Sequence, residues 1–364
     1  MNPANAAGQF SGIQILRFAA AMLVVVMHIT QAISVHIAGT GADSYWRSGS
    51  AGVDIFFVIS GFVMGASTGN PAATVRKRAS AAWVFIKRRL LRIAPLYWFY
   101  TLLKVATLLV LPDLASRFTL DPVHLAASLL FIPDMAPWHL IEPVLPVGWT
   151  LNFEMLFYLV FAAAIALGAP KILFCLLVFL VILICGHLFP ESVALAFYAK
   201  SIVFEFIFGI CISHACKSWK QPPPLVGLVA IFSGIFYIFF IDWDGNADRM
   251  ATWGAGAALL VIGAVWMEPW ITRIAAAKRL SFFGDASYSI YLSHTFVVPA
   301  TVLAFMEAGV RDPVLIMAAT ILGVVVAGSI SYVWIERPMT NALKRAFFRP
   351  PAVAFASPDK THAK

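Results

Sequence analysis

SGIQILRFAAAMLVVVMHIT, residues 11–30, is a membrane-length apolar run with an arginine and a histidine inside it. Twenty helical residues rise about 30 Å, the thickness of a bilayer's hydrocarbon core. Arg17 and His28 are eleven positions apart, which is three turns plus about 20° of rotation and about 16 Å of rise. Both therefore fall on one face of the helix. Ionisable groups inside a membrane span are expensive and mark functional sites.

Working outward, 61% of the 364 residues are hydrophobic and only 12% charged, against about a quarter charged in soluble domains. The chain reads as an all-α polytopic membrane protein, one bundle with about ten spans near 13–33, 51–70, 93–111, 149–168, 171–188, 198–214, 225–241, 251–267, 283–305 and 314–334. The first run has no basic segment ahead of it and no Ala-x-Ala exit, so it is read as a retained helix and not as a cleaved leader. Cys175, Cys185, Cys211 and Cys216 lie in or beside spans with no paired spacing and are expected as free thiols. With the N-terminus inside, 20 of the 26 lysines and arginines fall on the cytoplasmic side, which predicts both termini cytoplasmic. That distribution accounts for the net charge of +8 without any nucleic-acid partner. Residues 1–12 are expected to be disordered, 13–338 to form the membrane domain, and 339–364 to be a basic cytoplasmic tail.

The polar residues inside spans are few. Asp54 enters early in AGVDIFFVISGF (51–62), Glu154 in GWTLNFEMLFY (148–158), and Glu205 is the one carboxylate of the fifth and sixth spans. Measured from span ends, Asp54 lies about 5 Å, His28 and Glu154 about 8 Å and Glu205 about 10 Å below the outer face. His294 lies a little deeper, on a helix that also carries Ser287, Tyr288, Ser289, Tyr291 and Ser293. One polar layer implies a cavity opening outward. At the opposite face, Arg88, Arg89 and Arg92 begin a span whose next turn holds Pro95, Tyr97 and Trp98; grouped guanidiniums suit phosphate oxygens. An imidazole beside carboxylates suits proton abstraction from a hydroxyl. No HExxH or paired Cys/His spacing points to a metal, and Ser60 lacks a GxSxG elbow. A proton-coupled carrier or flippase would also line a cavity with buried charges, although no inverted repeat or pair of broken helices is visible.

Six motifs in series, Arg17 with His28, GVDIFFVISGF (52–62), RRLLRIAPLYW (88–98), GWTLNFEMLFY (148–158), SYSIYLSH (287–294) and ERP (336–338), resemble the membrane-bound acyltransferase family 3, especially its exopolysaccharide O-acetyltransferases. The resemblance implies transfer of an acyl group, usually acetyl from cytosolic acetyl-CoA, to a hydroxyl of a polysaccharide or lipid-linked oligosaccharide at a bacterial inner membrane. Carried over motif by motif, it implies Arg17 and His28 as the essential pair and Asp54 and Glu154 as pocket residues; with the acid–base chemistry above, these four are the catalytic candidates, His28 acting as general base or being itself transiently acylated. Arg88, Arg89, Arg92 and Tyr97 would take the donor. Trp149, Tyr288, Tyr291 and His294 would take the acceptor.

Overall fold

Runs of leucine, valine, alanine and phenylalanine with few polar interruptions hold their backbone hydrogen bonds within the segment, as a bilayer requires, and here they give helices throughout. The computed structural model describes residues 10–39, 45–67, 74–111, 119–219, 221–241 and 248–348. Residues 1–9 and 349–364, in the expected disordered start and tail, lie outside that range. In chain order the helices are α1 (Ser11–Ile33), α2 (Ala51–Ser67), α3 (Val75–Val110), α4 (Pro122–Leu129), α5 (Trp149–Leu167), α6 (Lys171–Leu188), α7 (Val193–Tyr198), α8 (Glu205–Ala215), α9 (Pro224–Phe236), α10 (Ala255–Ile271), α11 (Ala275–Asp285), α12 (Ser287–Glu307), α13 (Pro313–Ser331) and α14 (Arg337–Phe347). No β-strand occurs among the described residues, which hold one isolated bridge, Met135 to Ile141. The four cysteines are free. The protein is an all-α, multi-pass membrane protein.

Nine of the described helical segments are long and apolar enough to cross a bilayer. The sixth expected span, 198–214, is instead a short helical stretch, Ser201–Ala215, whose fifteen residues rise about 22 Å. Its closeness to α2 explains why it is buried rather than lipid-facing. A Cβ on Gly61 would lie 1.9 Å from the Phe206 carbonyl oxygen, and one on Gly209 would lie 2.0 Å from that of Val58. Only glycine lets these two backbones meet. At the periphery, α6 and α9 turn Leu177, Val181, Val229 and Phe232 outward.

The third expected span, 93–111, also differs. Its preceding basic segment joins it in one 36-residue helix, α3, because VRKRASAAWVFIKRRLLRIA is rich in Ala, Arg, Lys and Leu, all strong helix formers. Such a helix is about 54 Å long, so its basic half overshoots a roughly 30 Å core. Arg88, Arg89 and Arg92 therefore stand mid-helix, not at a helix start. The apolar run inside the long loop is the eight-residue α4, capped by the Asp121 carboxylate on the Val123 amide at 3.0 Å. It is tied to α3 by hydrogen bonds from Tyr97 and Trp98 to the Ser128 and Leu129 carbonyls.

α1 is enclosed by α2, α10, α11 and α12. Its N-terminal amides are satisfied from another helix: the Glu268 carboxylate accepts from Ser11 N at 2.7 Å and from Gly12 N at 2.8 Å. A carboxylate at a helix N-terminus meets the orphan amides and the positive end of the macrodipole together. The axial position of Arg17 and His28 is thus set by a residue more than 250 positions away.

Candidate active site

Along α2, Val53, Phe56, Phe57, Ser60 and Val63 repeat at three- and four-residue steps and form one stripe. That stripe is one wall of a cavity whose other walls are Arg17 of α1, Arg89, Arg92 and Ile93 of α3, Thr150, Leu151, Glu154 and Tyr158 of α5, and Tyr288 and Tyr291 of α12. Its space, open mouth and adjoining solvent included, is about 820 Å³.

Three guanidiniums face one carboxylate here. Glu154 Oε1 accepts from Ser60 Oγ at 2.8 Å and from the Tyr158 hydroxyl; Oε2 takes part in neither bond. Arg17 lies within electrostatic reach of Glu154, Arg92 and Glu336. Arg89 rests over the rings of Phe85 and Tyr158, 5.5 and 6.0 Å from their centroids. Arg92 Nη1 meets Glu336 Oε1 at 2.7 Å, and Ser289 Oγ donates to Glu336 Oε2 at 2.6 Å. The Glu336 side chain is 1% exposed, so it acts as a buried clamp that fixes which way the Arg92 guanidinium points. A π-turn, Tyr332–Glu336, carries it. Such a turn accommodates Pro338, whose ring would press on the carbonyl four residues back in a regular helix. Tyr288 donates to the Ile93 carbonyl at 3.0 Å, and the Tyr291 hydroxyl meets Thr150 Oγ1 and the Val147 carbonyl, each at 3.1 Å. These bonds join α12 to α3 and α5 around the cavity.

Of the residues singled out from sequence, Arg17, Arg89, Arg92, Glu154, Tyr288 and Tyr291 meet in this cavity, and the others stand elsewhere. His28 is outside its lining, to which α1 contributes Arg17. The His28 ring stacks on His294 at 5.1 Å and 29°, and His294 in turn lies 5.7 Å from the Tyr291 ring. His294 Nδ1 bonds to the Tyr291 carbonyl. His28 is thus two rings away from the cavity, behind His294 and the lining Tyr291. Tyr97 is fully buried with its hydroxyl on the Ser128 carbonyl, and Trp149 stands edge-on to Phe153 at 5.9 Å; neither is in the cavity lining. Arg88 is exposed, over the Phe348 ring.

The single acidic layer divides in two. Asp54, fully buried, accepts a bidentate pair from Arg249, Nε to Oδ1 at 2.9 Å and Nη2 to Oδ2 at 2.7 Å. Arg249 also donates to the Ser50 carbonyl at 3.0 Å and lies 5.0 Å over the Trp253 ring. Glu205, fully buried, stands beside this pair. Depth along a helix does not specify azimuth: Asp54 and Ser60 are six residues, or about 120° after whole turns, apart on α2, so Ser60 meets Glu154 while Asp54 turns away. Arg249 was not singled out from sequence, since a basic residue in a loop has no periodic signal. Glu336 belongs to the ERP motif, but its pairing with Arg92 across 244 positions leaves no local signal.

The sequence pattern of the acyltransferase domain matches residues 10–333, which takes in every cavity-lining residue. The chain belongs to the acyltransferase 3 family. It is also similar to the exopolysaccharide production protein ExoZ of Rhizobium meliloti (strain 1021), 36% identical over 299 residues, 81% of this chain and 90% of that one. No solved structure matches it. This O-acyltransferase accordingly uses an acyl donor and a hydroxyl acceptor. Its cavity gathers three guanidiniums, one carboxylate and the hydroxyls of Ser60, Thr150, Tyr158, Tyr288 and Tyr291.

Proposed function

We propose that this acyltransferase moves an acyl group, acetyl first among the candidates, from cytosolic acyl-CoA to a hydroxyl of an exopolysaccharide or its lipid-linked precursor at a bacterial inner membrane, with both chain termini cytoplasmic. The observation that carries the reading is the cavity in which Arg17, Arg89 and Arg92 face Glu154. Its basic end adjoins the arginine-rich half of α3, where a phosphate-bearing thioester would arrive, and the His28 end of α1 lies toward the opposite face.

In the proposed reaction the acceptor oxygen attacks the thioester carbonyl, the carbon–sulfur bond breaks, and the CoA thiolate leaves. The acceptor's proton passes to His28, the general base. Arg17, on the cavity wall and separated from His28 by the Tyr291 and His294 rings, holds the donor within the cavity as a fixed guanidinium. Glu154, held by Ser60 and Tyr158, keeps the three guanidiniums from repelling one another and orients Arg17. Asp54 has a structural part in this scheme: with Arg249 it holds the outer end of the α2 stripe.

Mass spectrometry of surface polysaccharide from cells with and without the protein tests this reading. Loss of O-acyl groups with unchanged export is expected, and the mass lost identifies the acyl group. Normal acylation with altered glycan export would overturn the reading in favour of a carrier.

A further inference from the structure

The family match ends at residue 333, but the helix does not. Pro313–Phe347 runs on as one helical segment, and its last part, α14, folds against α3. The contact is made by cations over rings. Lys87 Nζ lies 5.1 Å from the Trp83 ring and 5.8 Å from the Phe347 ring, and the Arg88 guanidinium lies 5.5 Å from Phe348. Lys344 stands within electrostatic reach of Arg88 and Arg92. Arg92 lines the cavity, and Arg88 stands one helical turn before it on α3.

The cluster is short of counter-charge. Among the described residues, the pairing of Arg92 with Glu336 is the one salt bridge that any of these four cations makes. That carboxylate is buried. Like charges gathered without partners oppose one another, and an anion with several charges would relieve this. Beside them, Trp83 is 60% and Phe347 54% exposed, large apolar faces in a basic setting. Phosphate-binding cations, flat apolar faces and a cavity leading inward together fit a ligand with a purine, phosphates and a thin arm.

We propose that α14 completes the donor site: Lys344, Arg88 and Lys87 hold the nucleotide phosphates of acyl-CoA at the cavity mouth, and Trp83 and Phe347 offer the purine a stacking surface while the pantetheine arm enters toward Arg17. This rests on the reading of acyl-CoA as donor. It makes the residues beyond the family domain part of substrate recognition, in place of a separate tail.

Acetyl-CoA and acetyl-pantetheine carry the same thioester and differ by the nucleotide, so a comparison of the two isolates this site. With purified protein in nanodiscs of neutral lipid, the Lys344→Glu protein is expected to raise the ratio of KM for acetyl-CoA to KM for acetyl-pantetheine about tenfold, the effect of losing one charge-assisted phosphate contact. Lys344→Gln should give a smaller rise. Adenosine 3′,5′-bisphosphate should compete with acetyl-CoA for wild-type protein, which needs no variant to fold. An unchanged ratio, or absence of that competition, would overturn the nucleotide site alone. An effect of Lys344→Glu confined to anionic-lipid nanodiscs would overturn it in favour of a lipid-headgroup contact. If wild-type protein used neither thioester, the acyl-CoA reading itself would fall, and this site with it.

Discussion

Replacing His28 with alanine is expected to lower acyl transfer by about 10²–10⁴-fold, the usual contribution of a general base, while acetyl-CoA binding stays close to wild type. The asymmetry follows from where the ring stands. Arg17, Arg89 and Arg92 lie in the cavity wall, and His28 lies beyond it, stacked on His294 behind Tyr291. Removing His28 therefore leaves the donor's contacts in place and takes away the proton acceptor. Transfer to a carbohydrate acceptor and donor affinity, measured on the same purified protein, separate the two effects. Transfer within about threefold of wild type would exclude His28 as base and point to Glu154, the carboxylate that lines the cavity. A loss of donor affinity equal to the loss of rate would mean that the histidine pair shapes the cavity instead.

Arg249→Ala is expected to destabilise the folded protein by about 3–5 kcal/mol, because it leaves the Asp54 carboxylate buried without its partner. Asp54 is fully buried and its two oxygens receive the two ends of one guanidinium. Asp54→Asn in the same background should recover part of the loss, since the uncompensated charge is then gone. Unfolding midpoints of the two single variants and the double variant in nanodiscs check this. Additive losses, or a loss below about 1 kcal/mol for Arg249→Ala, would show that the pair contributes little. The consequence for activity is indirect: Val53, beside Asp54, begins the α2 stripe along the cavity, so a loosened outer end moves that wall.

Much of this arrangement was readable in the sequence because membrane helices obey simple length and period rules. Twenty-residue apolar runs mark spans, and Arg89 and Arg92 of RRLLR, the glutamate of GWTLNFEMLFY and the tyrosines of SYSIYLSH do converge. Three features were not readable. The first is the direction a side chain faces around its helix, which sends Asp54 away from Glu154 despite their similar depth. The second is long-range pairing: Arg92 finds Glu336 across 244 positions and Asp54 finds Arg249 across 195, and neither follows a period. The third is helix continuity. The basic segment before residue 93 is polar enough to read as a loop, yet its helix formers extend α3 well beyond the bilayer core, and the C-terminal segment reads as a tail until α14 closes on α3. The short buried helix Ser201–Ala215 gave a span-like apolar signal for a different reason, since the glycines that seat it on α2 hide it from lipid.

The central claim is that the thioester enters from the α3–α14 side and the acyl group leaves on the other. Sealed vesicles containing the protein in one orientation test it most directly, with acetyl-CoA supplied on one side, a polysaccharide fragment on the other, and acetylated carbohydrate read by mass spectrometry. The account predicts product only when acetyl-CoA is on the side of the basic helices and the carbohydrate opposite. Product formed only when both substrates share one side would contradict it.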